Sequence, residues 1–303
     1  MTKTNSLASA GIDRVFTVAD GHVISYSVVG PEDGFPVIFM QGLSGHRLIP
    51  MVFSEMLAKH NLKLISPDRP GNGLSDEFTE EERRPLNWPT IISQLVNVLS
   101  IDKFGLIAQS FGAIFALAIA LECSDKIVGP IQLISPWITL SEPTTNSTLR
   151  TIRNLPNCML KTSLMAMSCA PKVALALGSI NMLTNGWSDK EKKIYTPSVA
   201  NIYQEILEIS TKEKSSYAVD VIACLEKHYS FGFAYSDIYY PVNIYHGDKD
   251  TLVPLEAVKH TQSTMTTATL YVQPEGTHSL IFDLEVLDMV FANIRSAFSI
   301  STE

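Results

Sequence analysis

The sequence predicts an α/β protein in which a mostly parallel, eight-stranded sheet carries helices on both faces. Three observations support this prediction. Apolar strand-like segments alternate with helical ones in the first and last parts of the chain, a serine lies where a strand gives way to a helix, and the alternation stops between about residues 139 and 238. Strands that alternate with helices run parallel, because each crossover returns the chain to the same end of the sheet.

The strands and helices are predicted in order along the chain. Segments 14–20 and 22–30 flank Asp20-Gly21, which is typical of a tight hairpin turn and predicts an antiparallel pair. Apolar runs predict six further strands near 36–40, 62–67, 103–108, 130–135, 241–246 and 268–273. Helices are predicted near 48–60, 88–100, 111–123, 254–265 and 285–299.

The segment 139–238 is predicted to form a mainly helical cap inserted into a core of residues 1–138 and 239–303. Between Pro143 and Ser188 it contains no acidic residue but four basic ones: Arg150, Arg153, Lys161 and Lys172. One interpretation is a lid that admits an apolar substrate with an anionic end, or that touches a membrane surface. The other is that its methionines and leucines simply pack the cap onto the core.

Composition narrows the class of protein. The 303 residues are 46% hydrophobic and 18% charged, with a net charge of −8, which gives no electrostatic reason to expect nucleic-acid binding. No apolar run reaches the roughly 18–20 residues of a transmembrane helix, and the first residues lack the pattern of a signal peptide. Four cysteines without metal-site spacing are expected to be reduced thiols: Cys123, Cys158, Cys169 and Cys224. The sequence therefore predicts a cytoplasmic protein without a metal.

Ser110 lies between the predicted strand 103–108 and a helical segment that begins at Gly112. Small residues stand two positions before and after it, at Ala108 and Gly112, in the pattern A-x-S-x-G. A nucleophile elbow needs this spacing, because larger side chains there would collide with the chain that crosses the turn. A serine near a helix start can also be a cap or a core hydroxyl, so the motif alone leaves both interpretations open.

An acid and a histidine follow Ser110 in the order expected for a catalytic triad. Asp248 and Asp250 lie in a turn after the predicted strand 241–246, and His278 lies in a loop after the strand 268–273. Either aspartate could serve as the acid on this evidence.

Further motifs resemble those of the α/β-hydrolase superfamily, in its serine-nucleophile, capped branch. The sequence QGLSG at 41–45 resembles the oxyanion loop of that family, although Gln41 replaces the usual histidine. Residues 68–76 resemble its glycine-rich turn, and GDKD at 247–250 resembles its acid loop, in which the second aspartate serves. The resemblance implies a triad of Ser110, Asp250 and His278, with the backbone N–H groups of Leu43 and Phe111 as the oxyanion hole.

Other residues have more than one interpretation. Gln41 and Trp137 are candidates for the wall of the substrate pocket. His46 could reach the site or begin a helix, and His246 could lie beneath the triad or serve the core. Asp68 and Arg69 are interpreted as residues that hold their turn together.

We therefore expect an esterase-like serine hydrolase (EC 3.1) that acts without a cofactor on a small, largely apolar acyl substrate. Two alternatives keep the fold. One is a non-hydrolytic enzyme that cleaves a carbon–carbon bond, cyclises or condenses its substrate, and the other is a receptor-like relative that binds a small molecule. The sequence gives no oligomeric state.

Overall fold

An eight-stranded sheet forms the centre of the computed structural model, which describes residues 13–43, 45–142, 144–156, 158–160, 163–164 and 184–301. Its strands are β1 Arg14–Thr17, β2 Val23–Val29, β3 Phe35–Met40, β4 Leu62–Pro67, β5 Gly105–Gln109, β6 Ile131–Ile134, β7 Val242–Gly247 and β8 Ala268–Gln273. They lie in the order β1-β2-β4-β3-β5-β6-β7-β8. The pairs β1–β2 and β2–β4 are antiparallel and all others are parallel. The predicted fold class is confirmed.

Helices cover both faces of this sheet. The α-helices whose bounds are described are α1 Ser54–His60, α2 Trp88–Val98, α3 Gly112–Cys123, α4 Ser147–Arg153, α5 Asp189–Lys192, α6 Pro197–Ser210, α7 Tyr217–Cys224, α8 Leu255–Thr264 and α9 Leu284–Ser301. Residues 158–160 and 163–164 are also helical. Two apolar clusters form the core. Ile38 and Met40 of β3 belong to the cluster that contains α2 and α3, whereas Val37 and Phe39 belong to the one that contains α9. Because successive strand residues point to opposite faces, the two clusters lie on opposite sides of the sheet.

The helix predicted over 48–60 differs in its first half. Ile49–Phe53 forms a 3₁₀ turn, and the α-helix begins only at Ser54. Pro50 lies in that turn and has no N–H to donate to a helical ladder. The helix ends at Asn61, which is left-handed with a φ of 50° and serves as its C-cap.

The described part of the segment predicted as the cap consists of helices joined by turns and loops. It carries α4 to α7, and its described residues add no strand to the sheet. Lys161, Lys172 and Cys169 lie outside the described residues. Arg150 donates to the hydroxyl of Thr145 and to the carbonyl of Glu142. The division into a core and a cap stays a prediction.

Within the described ranges, no helix combines the length and apolar character needed to cross a membrane. Cys123 and Cys224 are buried thiols, and Cys158 is exposed.

Candidate active site

Ser110, Asp250 and His278 meet at the carboxyl edge of the parallel sheet, in the loops after β5, β7 and β8 respectively. The Ser110 hydroxyl lies 2.8 Å from His278 Nε2, and His278 Nδ1 lies 2.7 Å from Asp250 Oδ2. Asp250 is fully buried, whereas the His278 side chain keeps 21% of its surface exposed. A continuous hydrogen-bonded chain therefore leads from a buried carboxylate through a partly exposed imidazole to the hydroxyl of Ser110.

The backbone at Ser110 has the geometry of a strained turn. Its φ is +50°, in the left-handed region that costs a non-glycine residue about 1–2 kcal/mol. The Ser110 N–H donates to the carbonyl of Ile134, and its carbonyl accepts from the N–H groups of Ala113 and Trp137. These three hydrogen bonds hold the turn against the end of β6 and the start of α3.

Gly112 shows why the turn needs small residues. A Cβ at this position would lie 2.0 Å from the carbonyl oxygen of Met40, at the end of β3. Ala108, on the other side of Ser110, is completely buried. Gly42, in the loop after β3, is also tightly packed, because a Cβ there would lie 2.1 Å from Gln109 Oε1 and 3.1 Å from the Cβ of Ser110. The loop after β3 and the serine turn are thus packed against each other.

Asp250 is held in a conformation that suits an ionised carboxylate. Its Oδ1 accepts hydrogen bonds from the N–H groups of Leu252 and Val253, both at 2.9 Å, while Oδ2 faces His278. Burial opposes ionisation, but the hydrogen bond and charge of His278 and the backbone N–H groups outweigh it and lower the pKa of Asp250. An ionised Asp250 makes His278 Nδ1 the donor and leaves Nε2 to accept the Ser110 proton.

Asp248, the rival acid, has a different partner. Its Oδ1 accepts a hydrogen bond of 2.7 Å from the N–H of Glu275, and its own N–H donates to Gln273. Asp248 therefore ties the β7 loop to the β8 loop, while Asp250 is the aspartate that contacts His278.

Glu191 holds the loop that carries His278, a contact not foreseen in the sequence. This completely buried carboxylate of α5 accepts from the N–H of Thr277 at 2.8 Å and from its hydroxyl at 2.7 Å. It also accepts from the N–H of Ser188 in a capping box. The S-x-x-E pattern at 188–191 could have indicated a helix start, but not a contact with a loop 86 residues away.

The predicted oxyanion donors belong to Phe111, which follows Ser110, and to Leu43, which follows Gly42 in the loop packed against the serine turn. Within the described residues, neither the Leu43 N–H nor the Phe111 N–H donates to a backbone carbonyl. Phe111 is the N-cap of α3, where the helix dipole favours a negative charge. The role of these two N–H groups as oxyanion donors stays a prediction.

The two predicted pocket residues are both buried. Gln41 donates its side-chain amide to the hydroxyl of Ser66 at 2.8 Å. The Trp137 indole N–H donates to the carbonyl of Cys224, which links the end of β6 to α7. Their role in a substrate pocket stays a prediction.

His46 and His246, which had more than one interpretation, are both buried and hydrogen-bonded. His46 lies 2.8 Å from a carboxylate oxygen of Glu213, and its Nδ1 accepts from the N–H of Leu48. His246 Nε2 lies 2.9 Å from the carbonyl of Val253 and 3.5 Å from Asp250. Burial is the main reason that the pKa of His246 is lowered, which favours the neutral form of this imidazole beside Asp250.

The sequence matches the α/β hydrolase fold family over residues 36–284. Since this match covers most of the chain, the protein belongs to the α/β hydrolase fold family, and membership supports a hydrolase. A comparison with curated proteins finds no match.

Solved structures with the same fold include several hydrolases. A hydrolase from Pseudomonas aeruginosa PA01 superposes with a TM-score of 0.66 and 14% identity, covering 95% of this chain and 99% of the other. A thermophilic esterase from Thermogutta terrifontis gives 0.65 and 18%, covering 95% and 98%. E-2-(acetamidomethylene)succinate hydrolase gives 0.65 and 18%, covering 95% and 99%. At these identities the likeness shows the shared fold alone.

Proposed function

We propose that the protein is a serine hydrolase that cleaves a carboxylic ester or related acyl compound through an acyl-enzyme. The observation that carries this proposal is the hydrogen-bonded chain from Asp250 through His278 to Ser110. A serine hydroxyl is a poor nucleophile unless a base removes its proton as it attacks, and His278 Nε2, 2.8 Å from the Ser110 hydroxyl, can act as that base.

The proposed reaction has two halves. Ser110 Oγ attacks the carbonyl carbon while its proton moves to His278, and the N–H groups of Leu43 and Phe111 stabilise the negative oxygen. His278 then protonates the leaving alkoxide, which gives an alcohol and an acyl-enzyme. In the second half, water loses a proton to His278 and attacks the acyl carbon, and the acid departs as Ser110 regains its proton. Asp250 stabilises the imidazolium in both halves.

A fluorophosphonate tests the nucleophile directly. Treated protein should gain the mass of one adduct in an intact-mass measurement, because an activated serine displaces fluoride from phosphorus. Ser110→Ala should gain none. An unmodified wild-type protein with a folded circular dichroism spectrum would contradict the proposal and favour the receptor-like alternative.

Two matched substitutions, at aspartates only two positions apart in the sequence, test which of them is the acid. Asp250→Asn should lower kcat on an ester by about 10⁴-fold, since the amide favours the wrong tautomer of His278. Asp248→Asn should keep kcat close to wild type, because Asp248 binds the Glu275 N–H instead. Equal losses in the two variants would overturn the assignment of Asp250.

A further inference from the structure

Arg69 contacts the oxyanion loop, which is defined as residues 41–43. Its guanidinium donates to the carbonyl of Gln41 at 2.7 Å and to the carbonyl of Gly42 at 2.8 Å. The side chain is 2% exposed, so these hydrogen bonds are shielded from water. Arg69 also lies over the ring of Phe111, 5.7 Å from its centroid. One side chain thus contacts both residues that precede Leu43 and the residue that follows Ser110.

The geometry of the peptide bond transmits this contact to the proposed oxyanion donor. The Gly42 carbonyl and the Leu43 N–H belong to one planar, trans peptide unit, so they point in opposite directions. Arg69 holds the Gly42 carbonyl so that it points towards the guanidinium. The Leu43 N–H, on the opposite side of the same peptide, therefore points away from Arg69. Gly42 lies against Ser110, so rotation of this peptide would change where the N–H points relative to the serine.

Arg69 is in turn held by α7. Its Nε donates to Asp220 Oδ2 at 3.0 Å, and Asp220 is only 9% exposed. Asn72 donates to the same oxygen at 3.2 Å and to the hydroxyl of Ser216 at 2.9 Å. A buried cation requires a close counter-ion, and here that ion comes from the segment predicted as the cap, 151 residues further along the chain.

We propose that Arg69 is the positioning residue of the oxyanion hole, and that Asp220 of α7 sets its place. This inference rests on the proposed hydrolase function. Arg69 touches no reacting atom in the proposed reaction, and it acts by holding the peptide that carries the Leu43 N–H. The segment predicted as the cap would then contribute to catalysis through its ion pair with Arg69.

A pair of matched substrates, an ester and its thionoester, tests the proposal. Sulfur is a weak hydrogen-bond acceptor, so a working oxyanion hole favours the ester. Arg69→Lys keeps the positive charge but loses the planar fork that reaches both carbonyls. We expect this variant to lose up to about 100-fold in kcat on the ester, and much less on the thionoester, so that the rate ratio falls. Asp220→Asn should lower the same ratio by a smaller factor.

Arg83→Met provides the control. Arg83 is another buried arginine, which donates to the carbonyls of Pro70 and Phe78. Its loss should leave the rate ratio unchanged. Equal losses on both substrates in Arg69→Lys and Asp220→Asn would show a merely structural role and overturn the inference.

Fluorophosphonate labelling of the wild-type protein separates the two possible failures. If the wild type is neither labelled nor active on esters, the proposed function fails and this inference fails with it. If the wild type is labelled and hydrolyses esters but the ratio is the same in all variants, only the positioning role is wrong.

Discussion

At Ser110 the proposed function and the stability of the fold favour different residues, because the backbone of this serine is left-handed. A φ of +50° is unfavourable for any residue with a Cβ, and three backbone hydrogen bonds hold the turn in place. Glycine adopts this region freely but loses more chain entropy on folding. We therefore expect glycine at this position to gain more from the relief of strain than it loses in chain entropy.

Substitution of Ser110 measures this strain. Both Ser110→Ala and Ser110→Gly should lose fluorophosphonate labelling. Ser110→Gly should be the more stable of the two by about 1 kcal/mol, because relief of the strain exceeds the entropy that glycine loses. The free energy of unfolding in urea measures the difference.

The same pair of substitutions at Ser93, in the middle of α2, is the control. There the glycine variant should be less stable than the alanine variant by about 1 kcal/mol, as in any helix interior. If the glycine variant were less stable than the alanine variant at both positions, the result would argue against strain at Ser110.

Some residues of the candidate site could be predicted from the sequence and others could not. Ser110, Asp250 and His278 stand in motifs with a characteristic spacing, so the sequence could identify them as candidates. The contact of Arg69 with the oxyanion loop could not be predicted, because it depends on how the turn after β4 packs against the loop after β3. The interpretation of Arg69 as a residue that holds its own turn together was wrong, because its guanidinium donates outside that turn. Its partners are Gln41, Gly42 and Asp220, and they are visible only in three dimensions.

At the scale of the element, the short helix α5 fixes the loop that carries His278. Its four residues include Glu191, whose two oxygens accept from the N–H and hydroxyl of Thr277 and from the N–H of Ser188. A buried carboxylate with three donors is satisfied only while helix and loop stay together. The orientation of the His278 loop thus depends on α5.

Replacement of Glu191 tests this dependence. Glu191→Gln puts an amide nitrogen where one carboxylate oxygen accepts, and should reduce the free energy of unfolding by about 1–3 kcal/mol. The rate of fluorophosphonate labelling should also fall, because His278 would be less well placed to take the Ser110 proton. Both quantities can be measured on the same preparation.

Glu285→Gln is the matched control for that experiment. Glu285 pairs with Lys190 of α5 at 3.2 Å, but it is 69% exposed, and such exposed pairs contribute little to stability. Glu285→Gln should change neither the free energy of unfolding nor the rate of fluorophosphonate labelling. A Glu191→Gln variant that labels at the wild-type rate would refute a role of α5 in placing His278.

Elements were predicted well wherever apolar periodicity and turn residues agreed. All eight strands overlap their predicted ranges, and α3 begins at Gly112, one residue after the predicted start. The first turn of the helix predicted over 48–60 is 3₁₀ instead, because a proline-containing turn satisfies the apolar pattern equally well. The helices of segment 139–238 had no individual prediction, since their apolar faces pack on parts of the core that are distant in sequence.

Across the whole molecule, a buried ion network joins segments that are far apart in the chain. Arg47 is completely buried and donates to Asp68 after β4, to Glu213 after α6 and to Asp13 before β1. His46 also contacts Glu213. The core and the segment predicted as the cap therefore share a set of charges that is stable only when each cation retains its anions.

This network predicts an acid dependence of stability. Burial alone would raise the pKa of Glu213, but hydrogen bonds from Arg47 and His46 outweigh it and lower that pKa from 4.5 to about 2. A carboxylate whose pKa is lower in the folded state stabilises the protein fully above pH 4.5, and this contribution is lost as the pH falls from 4.5 towards 2. Its size is about 3 kcal/mol, since each unit of pKa corresponds to about 1.4 kcal/mol and the carboxylate is only 12% exposed.

Glu213→Gln should reveal this contribution as a difference that depends on pH. In urea unfolding, the variant should be less stable than the wild type by about 3 kcal/mol near neutral pH, and the difference should shrink steadily below about pH 4.5. Glu256→Gln removes a 70% exposed carboxylate from an ion pair with Lys259 and should leave the pH dependence unchanged. A difference between Glu213→Gln and wild type that stays constant from neutral to acid pH would mean that the network stabilises the protein by packing and not by the charge of Glu213.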